Sequence, residues 1–157
     1  MVERARALYL AAGQVPVVVR REIQGFLLNR LQAAVLAEAY RLYEDGYASA
    51  DDIDATMRDG LGLRWSFMGP FETIDLNAPA GLTDYMARYG ALMAEIAASQ
   101  TPRAWRPETI AALEAERRQR LPASGLTARG AWRDRRLARL IAHRRVQDVQ
   151  DTEEHDG

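Results

Sequence analysis

The longest apolar pattern in the chain runs from Phe26 to Tyr43, with no Gly or Pro to interrupt it. Leu27, Leu28, Leu31, Val35, Ala39 and Leu42 recur at helical spacing, and Phe26, Leu36, Tyr40 and Tyr43 widen that face until little polar surface is left. The spacing predicts a helix over residues 25–45, closed by Gly46, and a helix apolar nearly all round is expected to be buried on most sides. Asn29 falls inside that environment, one turn from the helix start. A buried carboxamide without partners costs roughly 1–3 kcal/mol. Asn29 is therefore either a satisfied structural residue or a polar group aimed into a binding cleft, and the residues alone leave both open.

Upstream, residues 3–12 read as a short amphipathic helix, with Ala5, Leu8, Tyr9 and Ala12 on one face and Gly13 as its C-cap. Val15-Pro16-Val17-Val18-Val19-Arg20 has strand character, the only such run in the chain. A lone strand cannot satisfy its own backbone groups. Helix followed by strand is the second half of a β-α-β unit, so residues 1–22 are expected to be the tail of an upstream α/β domain. A tail that pairs with itself in a dimer is the alternative.

Downstream, Ser49 with Asp52 three residues on is a weak capping box, and the helix it opens carries Ile53, Ala55, Thr56 and Met57 and is expected to stop at Gly60. Gly60 to Gly69 reads as a glycine-bracketed apolar loop that packs on the core or covers a site. Pro70 and Glu72 start the next helix, which reaches about Asn77. Residues 80–99 form another, with Leu82, Tyr85, Met86, Tyr89, Leu92, Met93 and Ile96 at 3/4 spacing. Pro107 to Pro122 bounds a more polar helix. Residues 130–147 form the last, with Trp132, Leu137, Leu140 and Ile141 on one stripe, and the acidic end, 148–157, is expected to be disordered. The expected architecture is an all-α domain of five or six helices over 23–147, behind a short helix-strand remnant.

Length and composition narrow the class. A chain of 157 residues holds one domain with a sizeable core. It is 48% apolar and 27% charged with a net charge of −1, so nothing global favours nucleic acid or an anionic membrane. There is no Cys, and no apolar run reaches the roughly 18–20 residues a membrane span needs. The start has no signal-peptide core, and the expected location is cytoplasmic. All 21 basic residues are Arg.

The chemistry is defined first by absences. No Gly-x-Gly-x-x-Gly follows a strand and no phosphate-binding Gly-x-x-x-x-Gly-Lys occurs. The two histidines, His143 and His155, lie far from any pair of carboxylates with metal or triad spacing. Asp51, Asp52 and Asp54 are explained as first-turn acids without a metal. No cofactor site and no metal site are expected, and no complete acid–base active site is visible. Three groupings remain. Asn29 shares a helical face with Gln32, Ala33 and Leu36 and is flanked by Arg30. Arg64, beside Trp65 on the apolar glycine-flanked stretch, could fork a carboxylate bidentately or simply stack on a neighbouring ring. The last helix carries Arg129, Arg133, Arg135, Arg136, Arg139, Arg144 and Arg145 against the single acid Asp134. Such a helix can touch phosphates, although a solvated amphipathic helix accounts for it better.

At Gly25-Phe26-Leu27-Leu28-Asn29-Arg30 the sequence resembles the C-terminal domain of the 3-hydroxyacyl-CoA dehydrogenase family. The likeness continues through Glu44-Asp45-Gly46, Asp51 to Asp54 and Met68-Gly69-Pro70-Phe71-Glu72, and on to Leu76-Asn77-Ala78 and Trp132-Arg133-Asp134. Within that family, Gly60 to Pro70 with its Arg64-Trp65 pair is closer to the lambda-crystallin / L-gulonate 3-dehydrogenase branch than to the fatty-acid enzymes. The resemblance implies a helical bundle of the 6-phosphogluconate dehydrogenase C-terminal-domain-like type. It also implies NAD-dependent oxidation of a 3-hydroxy to a 3-keto group, on a small hydroxy acid, sugar acid or hydroxyacyl-CoA, in a homodimer. In the family NAD is held by an N-terminal Rossmann domain that also supplies a His–Glu pair and a Ser. The motif Asn, here Asn29, binds the reacting substrate from the helical side, and Arg64 would anchor a substrate carboxylate. The nucleotide fingerprint and the His–Glu pair are absent here, so the chain alone is expected to be inactive and to work with an upstream or separate Rossmann domain. The other readings are a non-catalytic, crystallin-like structural homodimer and an Arg-rich nucleic-acid-binding regulator.

Overall fold

A computed structural model of the chain describes residues 1–155 and is all-α, with no strand among those residues. Two compact units divide it, Met1–Tyr40 and the remainder from Arg41.

The first unit holds α1 (Val2–Ala11) and most of α2 (Phe26–Glu44). Between them, residues 14–19 are irregular. The strand expected at Val15–Arg20 does not form. A β-branched run has strand character only when a neighbouring ladder takes its N–H and C=O groups, and no described residue offers one. α2 starts abruptly: Gly25 has φ +80 and Phe26 itself φ +48. For an aromatic residue the left-handed region costs on the order of 1–3 kcal/mol, so the motif at the start of α2 is held in a conformation its sequence does not favour locally.

The burial expected for α2 is missing over its first half among the described residues. Tyr40 is its only buried residue, and Leu28 and Leu31 are 76% and 63% exposed. The stripe is open at its start, while Val35, Ala39 and Leu42 further along are partly buried.

In the second unit α2 ends in a Schellman motif. Tyr47 N–H donates to Leu42 O at 2.9 Å and Gly46 N–H to Tyr43 O at 3.0 Å, with Gly46 at φ +73. α3 (Ala50–Ala55) then begins at Ser49, whose Oγ accepts the Asp52 N–H at 3.2 Å and donates to the Asp52 carboxylate at 2.6 Å. The expected cap is present, with the acid turned onto the serine hydroxyl rather than the backbone.

The stretch read as a loop from Gly60 is helical for its first half. α3 runs into a π-helical turn, Thr56–Leu61, and then α4, Gly62–Arg64. Glycine is a poor helix former by about 1 kcal/mol, but Gly62 is helical (φ −63, ψ −32). After a turn, Pro70 opens α5 (Pro70–Leu76), and α6 (Leu82–Ser99) packs against it. α7 (Pro107–Arg120) starts at its expected proline and meets α3.

A 3-10 turn (Ala123–Gly125) leads into α8, Leu126–His155. α8 therefore starts earlier than expected and continues through residues 148–155, where a disordered tail was anticipated; residues 156 and 157 lie outside the described residues. No Gly or Pro follows Gly130 until the end of the helix, and local bonds such as Thr152 Oγ1 to Asp148 O at 2.8 Å carry the winding on. Among the described residues the buried hydrophobic side chains are Tyr40, Ala50 and Ala78.

The Schellman glycine gives a clean test. A methyl at Gly46 would meet nothing within 4 Å, so the cost of Gly46→Ala is backbone conformation alone. Urea unfolding should show a loss of about 1–2 kcal/mol with an unchanged m-value.

Candidate functional site

Asn29 lies one turn into α2, in the first unit, and Arg64 ends α4 in the second. Both are exposed. Asn29 was expected among buried side chains; instead Phe26, Leu27, Leu28 and Leu31 beside it are exposed with it. Among the described residues neither Asn29 nor Arg64 spends its side chain on a hydrogen bond or ion pair, and no aromatic ring lies under the Arg64 guanidinium. The backbone around Arg64 is well held: its carbonyl accepts the N–H groups of Phe67 at 3.3 Å and Met68 at 3.2 Å. Ser66 Oγ closes the same turn by donating to Leu63 O at 2.7 Å. Arg64 thus presents a free planar fork of donors from a fixed backbone.

The main electrostatic feature of the second unit went unforeseen. Glu44, the last residue of α2, has a side chain only 6% exposed. Its Oε1 accepts from Arg106 Nε and from Thr109 Oγ1 at 2.9 Å, and its Oε2 from Arg103 Nη1 at 3.1 Å. Arg103 also forks Asp45, with Nη2 to Oδ2 at 3.0 Å. The end of α2 is thereby clamped to the segment before α7 and to the first turn of α7. The bond from Arg106 is the largest cause that holds the Glu44 carboxyl down at about 2; those from Thr109 and Arg103 add to it, against partial burial. A general acid or base works best near the operating pH, so Glu44 is a structural anion.

Several other acids of this unit are similarly committed. Glu116 Oε1 accepts the Ala50 N–H at 2.9 Å, capping α3 from α7, and also holds the Tyr43 hydroxyl, whose pKa is raised by burial and then by that carboxylate. Asp51 pairs with Arg117 at 3.1 Å and with Arg120, and Asp54 with Arg117 at 3.3 Å. Asp51 and Asp54 thus serve arginines from α7, while Asp52 serves Ser49. Among the described residues no group of three or more His, Asp or Glu is placed to hold a metal ion, and no helix is long and apolar enough to cross a membrane. On α8, Arg129 sits over the Trp132 ring with its Cζ 3.5 Å from the centroid, and Arg136 flanks it at 5.4 Å. Two of the seven arginines are therefore engaged by the helix's own tryptophan.

The local pattern gave no sign of the Glu44 clamp, since its partners lie about sixty positions away. The available signal was the acidic pair Glu44-Asp45 before a glycine and the arginines that bracket Trp105 before Pro107.

Residues 25–118 match a family model described as 3-hydroxyacyl-CoA dehydrogenase, C-terminal domain, and the chain belongs to that family. Among curated proteins it is similar to the lambda-crystallin homolog of Bos taurus, 46% identical over 145 residues, covering 88% of this chain and 44% of the relative. It is also similar to lambda-crystallin of Oryctolagus cuniculus, 41% identical over 153 residues, covering 95% and 47%. L-carnitine dehydrogenase of Pseudomonas putida is 43% identical over 90 residues, covering 57% and 28%. The chain spans less than half the length of these relatives.

The clamp yields a pH dependence with a definite sign. Glu44 falls from an ordinary value of 4.5 to about 2 in the fold, so its contribution is complete above about pH 4.5 and is lost as pH falls through about 2. The difference in Tm between the wild-type chain and Glu44→Gln should be largest near neutral pH and vanish toward pH 2. A difference that does not change with pH would contradict the charge-based clamp.

Proposed function

We propose that this chain is the substrate-side and dimer-forming domain of a cytoplasmic NAD-dependent oxidoreductase that converts a 3-hydroxy group to a 3-keto group. The observation that carries the reading is the extent of the family match, which opens at Gly25-Phe26 and takes in both Asn29 and Arg64. Residues 1–22 are then the tail of an upstream Rossmann domain, and the helical domain starts at about residue 23.

In this reading the chain's own residues bind and orient. The Asn29 carboxamide donates to the 3-oxygen of the substrate, where negative charge grows as the hydroxyl proton leaves. Arg64 takes a carboxylate at the far end with two parallel N–H bonds. A small hydroxy acid or sugar acid suits that pair better than a hydroxyacyl thioester, which has no carboxylate near C3. Some relatives are by name L-carnitine dehydrogenases, and L-carnitine is itself a 3-hydroxy carboxylate, which supports the same class. Among the described residues no strand leads into a glycine turn, and in this reading the NAD seat and the catalytic base are supplied by the Rossmann domain.

A homodimer completes the picture. The apolar faces of α2 and α6 are open in the single chain, and a second copy offers the same faces to cover them. The lambda-crystallin relatives favour a second reading, a non-catalytic structural homodimer. Turnover by the complete protein separates the two.

In the complete two-domain enzyme, Arg64→Ala should lower kcat/KM for 3-hydroxybutyrate by about 2–5 kcal/mol, mostly through KM. Asn29→Ala should lower kcat by roughly a hundredfold or more. Steady-state kinetics reads both, and unchanged constants in the two variants would remove Asn29 and Arg64 from the site.

A further inference from the structure

The helix that delivers Arg64 is wound with one residue more than an α-helix allows. Across Thr56–Leu61 the winding is π-helical, and the Gly62 N–H donates to Met57 O, five residues back. Such turns are rare, occur mostly as single-turn bulges, and frequently mark functional sites. This one ends three residues before Arg64.

Two glycines lie at this turn, and they differ in what a side chain would meet. A Cβ at Gly60 would find nothing within 4 Å, whereas a Cβ at Gly62 would stand 2.7 Å from Met57 O. Met57 O is backbone, and it is the acceptor of the bond that closes the π-turn. It cannot swing aside as the tip of a side chain could. Any residue but glycine at 62 therefore forces that backbone acceptor, and the bond it closes, to shift. A helix that relieves the clash by winding at about 3.6 residues per turn passes the surplus residue downstream. Everything after it, Arg64 included, rotates about the axis by about 100°, the angle of one residue.

We infer that Gly62 is a positioning residue: by allowing the π-turn to close, it fixes the direction in which Arg64 leaves the helix and so the anchoring of the substrate carboxylate. This rests on the reading of Arg64 as that anchor. Gly62 touches no substrate itself; it acts through Arg64.

The test uses the complete enzyme with two probes that share the 3-hydroxy group, 3-hydroxybutyrate and its uncharged methyl ester. Gly62→Ala should raise KM for the acid by about tenfold or more while the ester's KM, and kcat on both, stay in place. Gly60→Ala, which adds the same methyl to open space, should behave as wild type. A Gly62→Ala enzyme with wild-type KM, or one that loses acid and ester alike, overturns the inference.

Arg64→Ala separates the two levels of the claim. If it fails to discriminate acid from ester, the anchor reading falls and this inference with it. If it discriminates and Gly62→Ala does not, only this inference falls. Should Gly62→Ala lose its helical circular dichroism, deletion of the exposed Arg58 in the same background removes the surplus residue, so the turn can wind as α with Arg64 in its original direction. That double variant should recover both fold and acid selectivity. If it stays unfolded, or folds and works on the ester without acid selectivity, the inference is wrong.

Discussion

An apolar stripe left in water forgoes about 25 cal/mol for every Å² it fails to bury, and this chain leaves several stripes open. Leu28 and Leu31 on α2, and Met86, Leu92 and Ile96 on α6, are between about two fifths and three quarters exposed, while the buried hydrophobic side chains are Tyr40 and two alanines. A folded domain keeps only a small surplus of burial over conformational entropy, so helices with faces this open would gain stability from any surface that covered them. Covering those faces is the condition under which the motif at the start of α2, with its strained Phe26, is worth holding in place.

What the chain organises on its own is polar. Glu44 joins the end of α2 to α7 through Arg103, Arg106 and Thr109, and α7 in turn caps and neutralises α3 through Glu116 and Arg117. α3 continues into the π-turn and then into Arg64. A line of committed charges therefore leads from the end of α2 to the base of Arg64, whose own fork is uncommitted and whose backbone is fixed. Structural anions and a proposed binding cation are told apart here by whether their hydrogen bonds are already spent.

Much of the helical order was legible because local rules decide it. Gly46 ends α2 through a left-handed residue, Ser49 with Asp52 opens α3, and Pro70 and Pro107 open α5 and α7, each using groups within a few residues of one another. What depended on distant partners was not legible. The strand at Val15–Arg20 needed a ladder that this chain does not supply, and the clamp on Glu44 joins residues about sixty apart. The winding past Gly60 misled for a different reason: glycine's general preference against helix lost to a particular need for a missing Cβ at Gly62. As for the site, Asn29 and Arg64 stood out by chemistry and by resemblance, while their exposure and the turn that aims Arg64 came only from the fold.

In the proposed dimer the apolar helices of this domain are completed by a second copy of the chain. Sedimentation equilibrium of the purified chain at micromolar concentration tests that most directly. The account predicts a species of twice 17.6 kDa; a folded, helical monomer of 17.6 kDa across the whole concentration range would contradict it.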